Sequence, residues 1–129
     1  MIRLVEQAHS AGVAVVCSSH DFTKTPPRAE LVSRMVQMQQ AGADLPKLAV
    51  MPRCRTDVLE LLAATAEMAD LHPETPVITM SMGALGAVSR ICGEAMGSAM
   101  TFASAGKASA PGQIELDVLA PILDRLSLA

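Results

Sequence analysis

The sequence predicts an α/β fold built on a parallel sheet. Two observations carry this. Four short apolar runs recur at similar spacing, 13–18 (VAVVCS), 47–51 (KLAVM), 77–82 (VITMSM) and 99–103 (AMTFA), each of strand length. Between and after them lie amphipathic stretches at 28–40, 56–69, 86–96 and 114–126, each long enough to cross from one parallel strand to the next.

Taken in order, the elements are signalled as follows. The opening MIRLVEQAHSAG reads as an amphipathic helix. The first strand follows at 13–18. Thr25 before Pro26 marks the start of the helix at 28–40, and Gly42 stands where a left-handed cap would end it. Lys47 heads the second strand, and Thr56 before Asp57 marks the helix at 56–69. The third strand, third crossover, fourth strand and last helix complete an α(βα)4 pattern.

Two architectures accept that pattern, a small doubly wound sheet or half of an eight-stranded barrel. Polar residues gather at the strand ends and the loops after them: Ser19-His20-Asp21, Arg53, Ser81 and Ser109 to Gln113. That distribution favours the barrel, whose chemistry is done at strand ends. A (β/α)8 barrel takes about 250 residues. With 129 residues the chain holds about the last four βα units, as a single domain over residues 1–129.

Composition narrows the function classes. Half the residues are apolar, the formal net charge is -3 and the basic residues are scattered, so no electrostatic footprint for nucleic acid is present. No apolar run approaches the ~18 residues that span a bilayer, and no signal-peptide core precedes the first helix; a cytoplasmic protein is expected. Cys17, Cys54 and Cys92 form neither a CxxC pair nor an even set, and are expected to be buried thiols. With two phenylalanines, nine methionines and no tyrosine or tryptophan, the core must be aliphatic; Met38, Met68 and Met96 fall at helical packing positions.

Lys47 is the residue that asks for an explanation. It shares one strand face with Ala49 and Met51, and the small Ala49 leaves space beside a bent lysine arm. A lysine attacks a ketone only as the neutral amine, and apolar surroundings favour that form. The plainer alternative is an ammonium at the strand mouth in water. His20, at the end of the first strand, can shuttle protons near neutral pH, though a histidine taken alone is more often a loop residue or a hydrogen-bonded core residue. Arg90, after the third strand, can hold a carboxylate bidentately or sit on a helix surface. Ser109 and Gln113 offer neutral donors on a loop of small residues, either a lid or an ordinary flexible loop.

Five stretches together, SSHDFTKTP, MQQAGADLPKLAVMP, DVLELLAATAEM, PVITMSMGALGAVSR and ASAPGQ, resemble the type I 3-dehydroquinate dehydratases, in that family's order from about residue 5 to 126. The resemblance implies that Lys47 condenses with the C3 ketone of 3-dehydroquinate, and that His20 is the general acid/base of imine formation and takes the C2 proton. It implies that Arg90 binds the substrate carboxylate, with Ser109 and Gln113 on the closing loop. Met80, Met82 and Phe102 resemble the apolar wall around the ring, although barrel-core packing would place the same residues. The implied product is 3-dehydroshikimate, in the shikimate pathway to aromatic amino acids. No metal or dissociable cofactor is implied.

The family's first four strands have no counterpart in this chain. Half a barrel exposes strand edges and apolar inward faces, so a homo-oligomer or a separate or missing N-terminal half-barrel is expected. Two other readings stay open: a class I aldolase-like lyase, which also uses a strand lysine, and a catalytically inactive truncated half-barrel.

Overall fold

The computed structural model describes all 129 residues. The chain runs α1 (Ile2–Ser10), β1 (Val16–Asp21), α2 (Arg28–Gln40), β2 (Leu45–Val50), α3 (Arg55–Leu71) and β3 (Ile78–Ser81). It continues through α4 (Gly83–Gly86), a 3-10 turn (Ala87–Arg90), α5 (Gly93–Met96), β4 (Ala103–Ser104), β5 (Ile114–Glu115) and α6 (Leu116–Leu126). The expected α/β pattern with parallel pairing is present. β1, β2 and β3 lie side by side in sequence order, all parallel, and β4 and β5 form a separate parallel pair.

The sheet's two faces differ. Leu48 and Val50 of β2 point into a core made with Leu31, Val32 and Met35 of α2 and Leu61, Ala64 and Met68 of α3. On the other face Ala49, Ile78, Met80 and Met82 form a smaller cluster, with Leu45, Met51 and Phe102 packed beside it. Neither α2 nor α3 contributes to this second cluster, so both crossover helices cover the same side. β1 is paired on one edge only, and Val16 is 50% exposed.

Several boundaries differ from expectation, each for a local reason. β1 begins at Val16 rather than at residue 13. The Val13 N–H closes the C-terminal turn of α1 on Ala8, and the Val15 N–H is taken by the Asp44 carboxylate at 2.7 Å. Ser19, His20 and Asp21, paired with Leu48, Ala49 and Val50, are inside the strand. Pairing of Val16 with Leu45 likewise starts β2 two residues early, and Lys47 is its third residue.

Neither threonine caps a helix. Pro27 and Cys54 occupy the N-cap positions of α2 and α3, while the Thr25 hydroxyl donates to the Met51 carbonyl. Gly42 does end α2 as expected, with φ +92° and the paired bonds Ala43 N–H to Met38 and Gly42 N–H to Gln39.

The stretch expected as one helix over 86–96 is broken into α4, the 3-10 turn and α5. The Ser89 hydroxyl donates to the Gly86 carbonyl at 2.7 Å and accepts the Ser81 N–H at 2.8 Å, pinning the turn onto β3. The fourth strand is much shorter than 99–103. Ser98 and Ala99 make the backbone link to Val77, and pairing resumes only at Ala103. Expectations about sulfur divide: Met38 and Met68 are buried and Met96 half-buried, but no cysteine is buried, Cys54 being exposed and the other two half-buried. Burial still pushes the Cys92 thiol up, which keeps it protonated.

No helix is long and apolar enough to cross a membrane.

Candidate active site

Strand register assembles the site. Ser18 pairs with Lys47 and Lys47 with Ile78; one step along, His20 pairs with Ala49 and Ala49 with Met80. Alternation along each strand then puts His20, Lys47, Ala49, Ile78 and Met80 on the face that α2 and α3 leave uncovered. Lys47 and His20 stand on adjacent strands of that face, two residues out of step.

These side chains open into a cavity of about 290 Å³. Lys47 and His20 line it, with Ala49, Met80, Met82 and Phe102 as its apolar wall. Ala49 is almost fully buried and its small side chain leaves the room that the lysine arm uses. The Lys47 Nζ lies 4.5 Å from the centroid of the Phe102 ring. His20 stacks on Phe22, with ring centroids 5.8 Å apart and an interplanar angle of 8°.

A loop closes the cavity from above. The Gln113 side-chain carbonyl accepts the Ser109 N–H at 2.8 Å, and the Gln113 amide donates to the Ser109 hydroxyl at 2.9 Å. The Pro111 carbonyl accepts the Gly83 N–H at 3.1 Å, docking the loop on the end of β3. Gly112 allows that approach: its φ is +79°, and a Cβ there would lie 2.4 Å from the Gly83 carbonyl oxygen.

Arg90 stands behind this wall. It is 1% exposed, its Nη2 donates to the Pro111 carbonyl at 3.0 Å, and its Nη1 lies 3.7 Å from the Met80 sulfur. Its Nε is buried without a partner. Burial lowers the guanidinium pKa from its usual value, yet arginine stays cationic at neutral pH. Of the two placements the sequence allowed, the helix surface is ruled out: Arg90 is buried. It does not itself line the Lys47 cavity but touches the lining residue Met80.

Of the eight residues expected at the site, seven line this one cavity: Lys47, His20, Met80, Met82, Phe102, Ser109 and Gln113. Arg53 instead ties loops together, its Nε donating to the Thr23 carbonyl and its N–H to Asp57. Asp21 likewise holds the turn after β1. Its carboxylate accepts from the Thr23 backbone, the Thr23 hydroxyl and the Lys24 backbone, which lowers its pKa. Sequence reasoning missed Phe22 and Ala110 in the lining. Composition held a signal for the first: the chain has only two aromatic residues besides histidine, and both phenylalanines line the cavity.

Fold and cavity together define a class: a parallel α/β chain that presents a lysine and a histidine from one sheet face into a small, largely apolar chamber. Comparison with known proteins supplies the family. Residues 1–128 match the family model of Type I 3-dehydroquinase, and the chain belongs to that family. It is 54% identical over 125 residues to a 3-dehydroquinate dehydratase of Clostridium kluyveri, covering 97% of this chain and 49% of that protein. A Klebsiella pneumoniae 3-dehydroquinate dehydratase is 54% identical over 124 residues, covering 96% and 49%.

Among solved structures, the type I enzyme of Clostridium difficile with covalent modified comenic acid superposes with a TM-score of 0.92 at 51% identity, covering 97% of this chain and 49% of the other. The Aquifex aeolicus enzyme gives 0.86 at 30% identity, covering 99% and 56%. The chain thus spans about half the length of the curated relatives it matches.

Proposed function

We propose that this chain carries the imine-forming site of a 3-dehydroquinate dehydratase, with residues 1–129 forming a single domain that is the C-terminal half of a (β/α)8 barrel. The observation that carries the reading is the joint presentation of Lys47 and His20 into one loop-covered cavity, in a chain of this family. In-order parallel pairing with both crossover helices on one side supports the barrel, since a doubly wound sheet would place helices on both.

The chemistry follows from the groups present. The Lys47 ammonium gives one proton to His20 and the neutral amine adds to the substrate ketone; that proton and one from the amine leave with the carbonyl oxygen as water, giving a protonated imine. That cation is the electron sink for loss of the neighbouring C2 proton to His20, which stands on the same face. The C1 hydroxyl then leaves as a second water with the proton that His20 took from C2, and addition of one water to the conjugated imine releases 3-dehydroshikimate and restores the lysine. The covalent imine does the work a cofactor would otherwise do, so none is required.

Arg90 supplies the carboxylate partner in this reading, reached when the substrate carboxylate displaces the Pro111 carbonyl that now holds its Nη2, and the Ser109–Gln113 loop brings neutral donors to the substrate. The protein acts in the cytoplasm, in the shikimate pathway. The uncovered sheet face is closed by a first half-barrel or by a second copy of the chain.

The test is turnover. The product is a conjugated enone that absorbs in the ultraviolet where the substrate does not. We expect that absorbance to grow when 3-dehydroquinate is added to the chain assembled with a first-half polypeptide from a relative, and to stay flat with Lys47→Ala in the same assembly. Equal rates for the two, or no product from the folded assembly, would refute the reading.

A further inference from the structure

We infer that Phe22 is a positioning residue for His20, its ring holding the imidazole in the plane from which a ring nitrogen takes the substrate proton. The inference rests on the dehydratase reading above. It gives a role to a cavity residue that reading leaves unused, and to the turn that carries it.

The two rings lie 8° from parallel with centroids 5.8 Å apart, inside the range of about 4.5–7 Å over which aromatic pairs attract. Both line the Lys47 cavity. Phe22 is 58% exposed, so core packing does not set its place. The backbone on either side does. Before it, Asp21 is paired with Val50 at the end of β1. After it, the Asp21 carboxylate accepts the Thr23 and Lys24 N–H groups and the Thr23 hydroxyl, which closes a tight turn.

Three more bonds tie that turn to the chain leaving β2. Arg53 Nε donates to the Thr23 carbonyl at 3.0 Å, the Met51 N–H to the Lys24 carbonyl at 3.3 Å, and the Thr25 hydroxyl to the Met51 carbonyl at 3.0 Å. Asp21 and Arg53 lie outside the cavity lining. Their work is to brace the turn that presents Phe22 to His20.

A histidine takes a proton from carbon only when the lone pair of one nitrogen points along the C–H bond. Rotation about its Cβ–Cγ bond sweeps that lone pair aside, and a ring laid parallel to the imidazole resists the rotation. The stack fixes the plane and leaves both nitrogens to whatever groups face them from the open side. Productive geometry tolerates an error of only about 10–20°, so loss of the stack slows proton transfer more than it weakens binding.

The test uses the chain assembled with a first-half polypeptide from a relative, and 3-dehydroquinate carrying hydrogen or deuterium at C2. In Phe22→Leu we expect kcat to fall about tenfold, KM to move less than about twofold, and the isotope effect on kcat to grow as proton transfer becomes the slow step. Phe22→Tyr keeps the ring and should return all three toward the parent values. Asp21→Ala releases the turn and should move kcat and the isotope effect in the same direction as Phe22→Leu. Phe22→Leu with an unchanged isotope effect would overturn the inference, whether its kcat is unmoved or reduced; so would a loss confined to KM, which an apolar wall alone would give.

A measurement without turnover separates this inference from the reading beneath it. Nuclear Overhauser contacts between the ring protons of His20 and Phe22 should be present in the substrate-free assembly and weaken in Asp21→Ala; three histidines and two phenylalanines make their assignment in this chain direct. If the parent assembly makes no product yet shows those contacts, the dehydratase reading fails and the pairing stands. Their absence from the parent overturns the pairing whatever the kinetics.

Discussion

Lys47 must meet two opposed demands. Its arm is held among apolar side chains, while its amine has to remain within reach of solvent, substrate and His20. The third position of β2 meets both, because Ala49 yields space on the same face and Phe102 receives the head group. His20 is the proton carrier of the proposed cycle. Replacing it with asparagine keeps the approximate shape and removes the titrating group, so turnover should fall by about 10²- to 10⁴-fold, followed as enone absorbance. Borohydride should still trap some adduct in that variant.

Arg90→Lys retains a charge but loses the planar fork. Hydrogen bonds to charged groups are worth about 1.5–3 kcal/mol, so KM should rise roughly 10- to 100-fold, with circular dichroism used to check that the buried substitution leaves the chain folded.

Asp44 gives a pH effect that has nothing to do with catalysis. Its carboxylate bonds the His9 ring at 2.8 Å and accepts the Val15 N–H, and together these hold its pKa below the usual value. A carboxyl depressed in the folded state adds stability that is complete above its unfolded pKa and is lost as the pH falls through the folded one. The urea midpoint should therefore drop as the pH falls through and below the ordinary carboxylate range, and Asp44→Asn should flatten part of that drop.

The elements owe their boundaries to backbone hydrogen bonds that hydrophobic patterning cannot reveal. The run at 13–18 was legible as a strand, but its first residues are used by the α1 terminus and by Asp44. Strand existence at 47–51 and 77–82, and the role of Gly42, could be read directly, since apolar alternation and a left-handed cap are local properties. The broken segment 83–96 could not, because Ser89 reaches back to β3 across eight residues. Met80, Met82, Phe102, Ser109 and Gln113 were legible through the family resemblance, and the strand register then shows why Lys47, His20 and Met80 share one face. Phe22 escaped notice because it lies one residue beyond β1, outside any alternation.

Two glycines test the element account. Gly42→Ala forces a side chain into φ +92° with its Cβ 3.0 Å from Val5, and should cost about 1–2 kcal/mol in urea denaturation. Gly112→Ala should lift the loop from Gly83 instead, raising KM while leaving the unfolding midpoint almost unchanged.

The molecule as a whole has one covered sheet face and one that is open. β1 is an edge strand, Val16 and Phe22 are half or more exposed, and the cavity sits on the open side. Apolar faces and free strand edges of this kind associate with other chains. Sedimentation at micromolar concentration should show the chain self-associated, or as a defined complex once a first-half polypeptide is supplied. A folded monomer that ignores such a polypeptide would remove the proposal that the sheet is half of a barrel.

The central claim is a covalent bond between Lys47 and a ketone substrate, and intact mass measures it most directly. After the chain assembled with a first-half polypeptide is incubated with 3-dehydroquinate and borohydride, it should gain the mass of one reduced imine, on a peptide containing Lys47, and Lys47→Ala in the same assembly should gain nothing. An unmodified parent chain, or an adduct that persists in Lys47→Ala, would contradict the account.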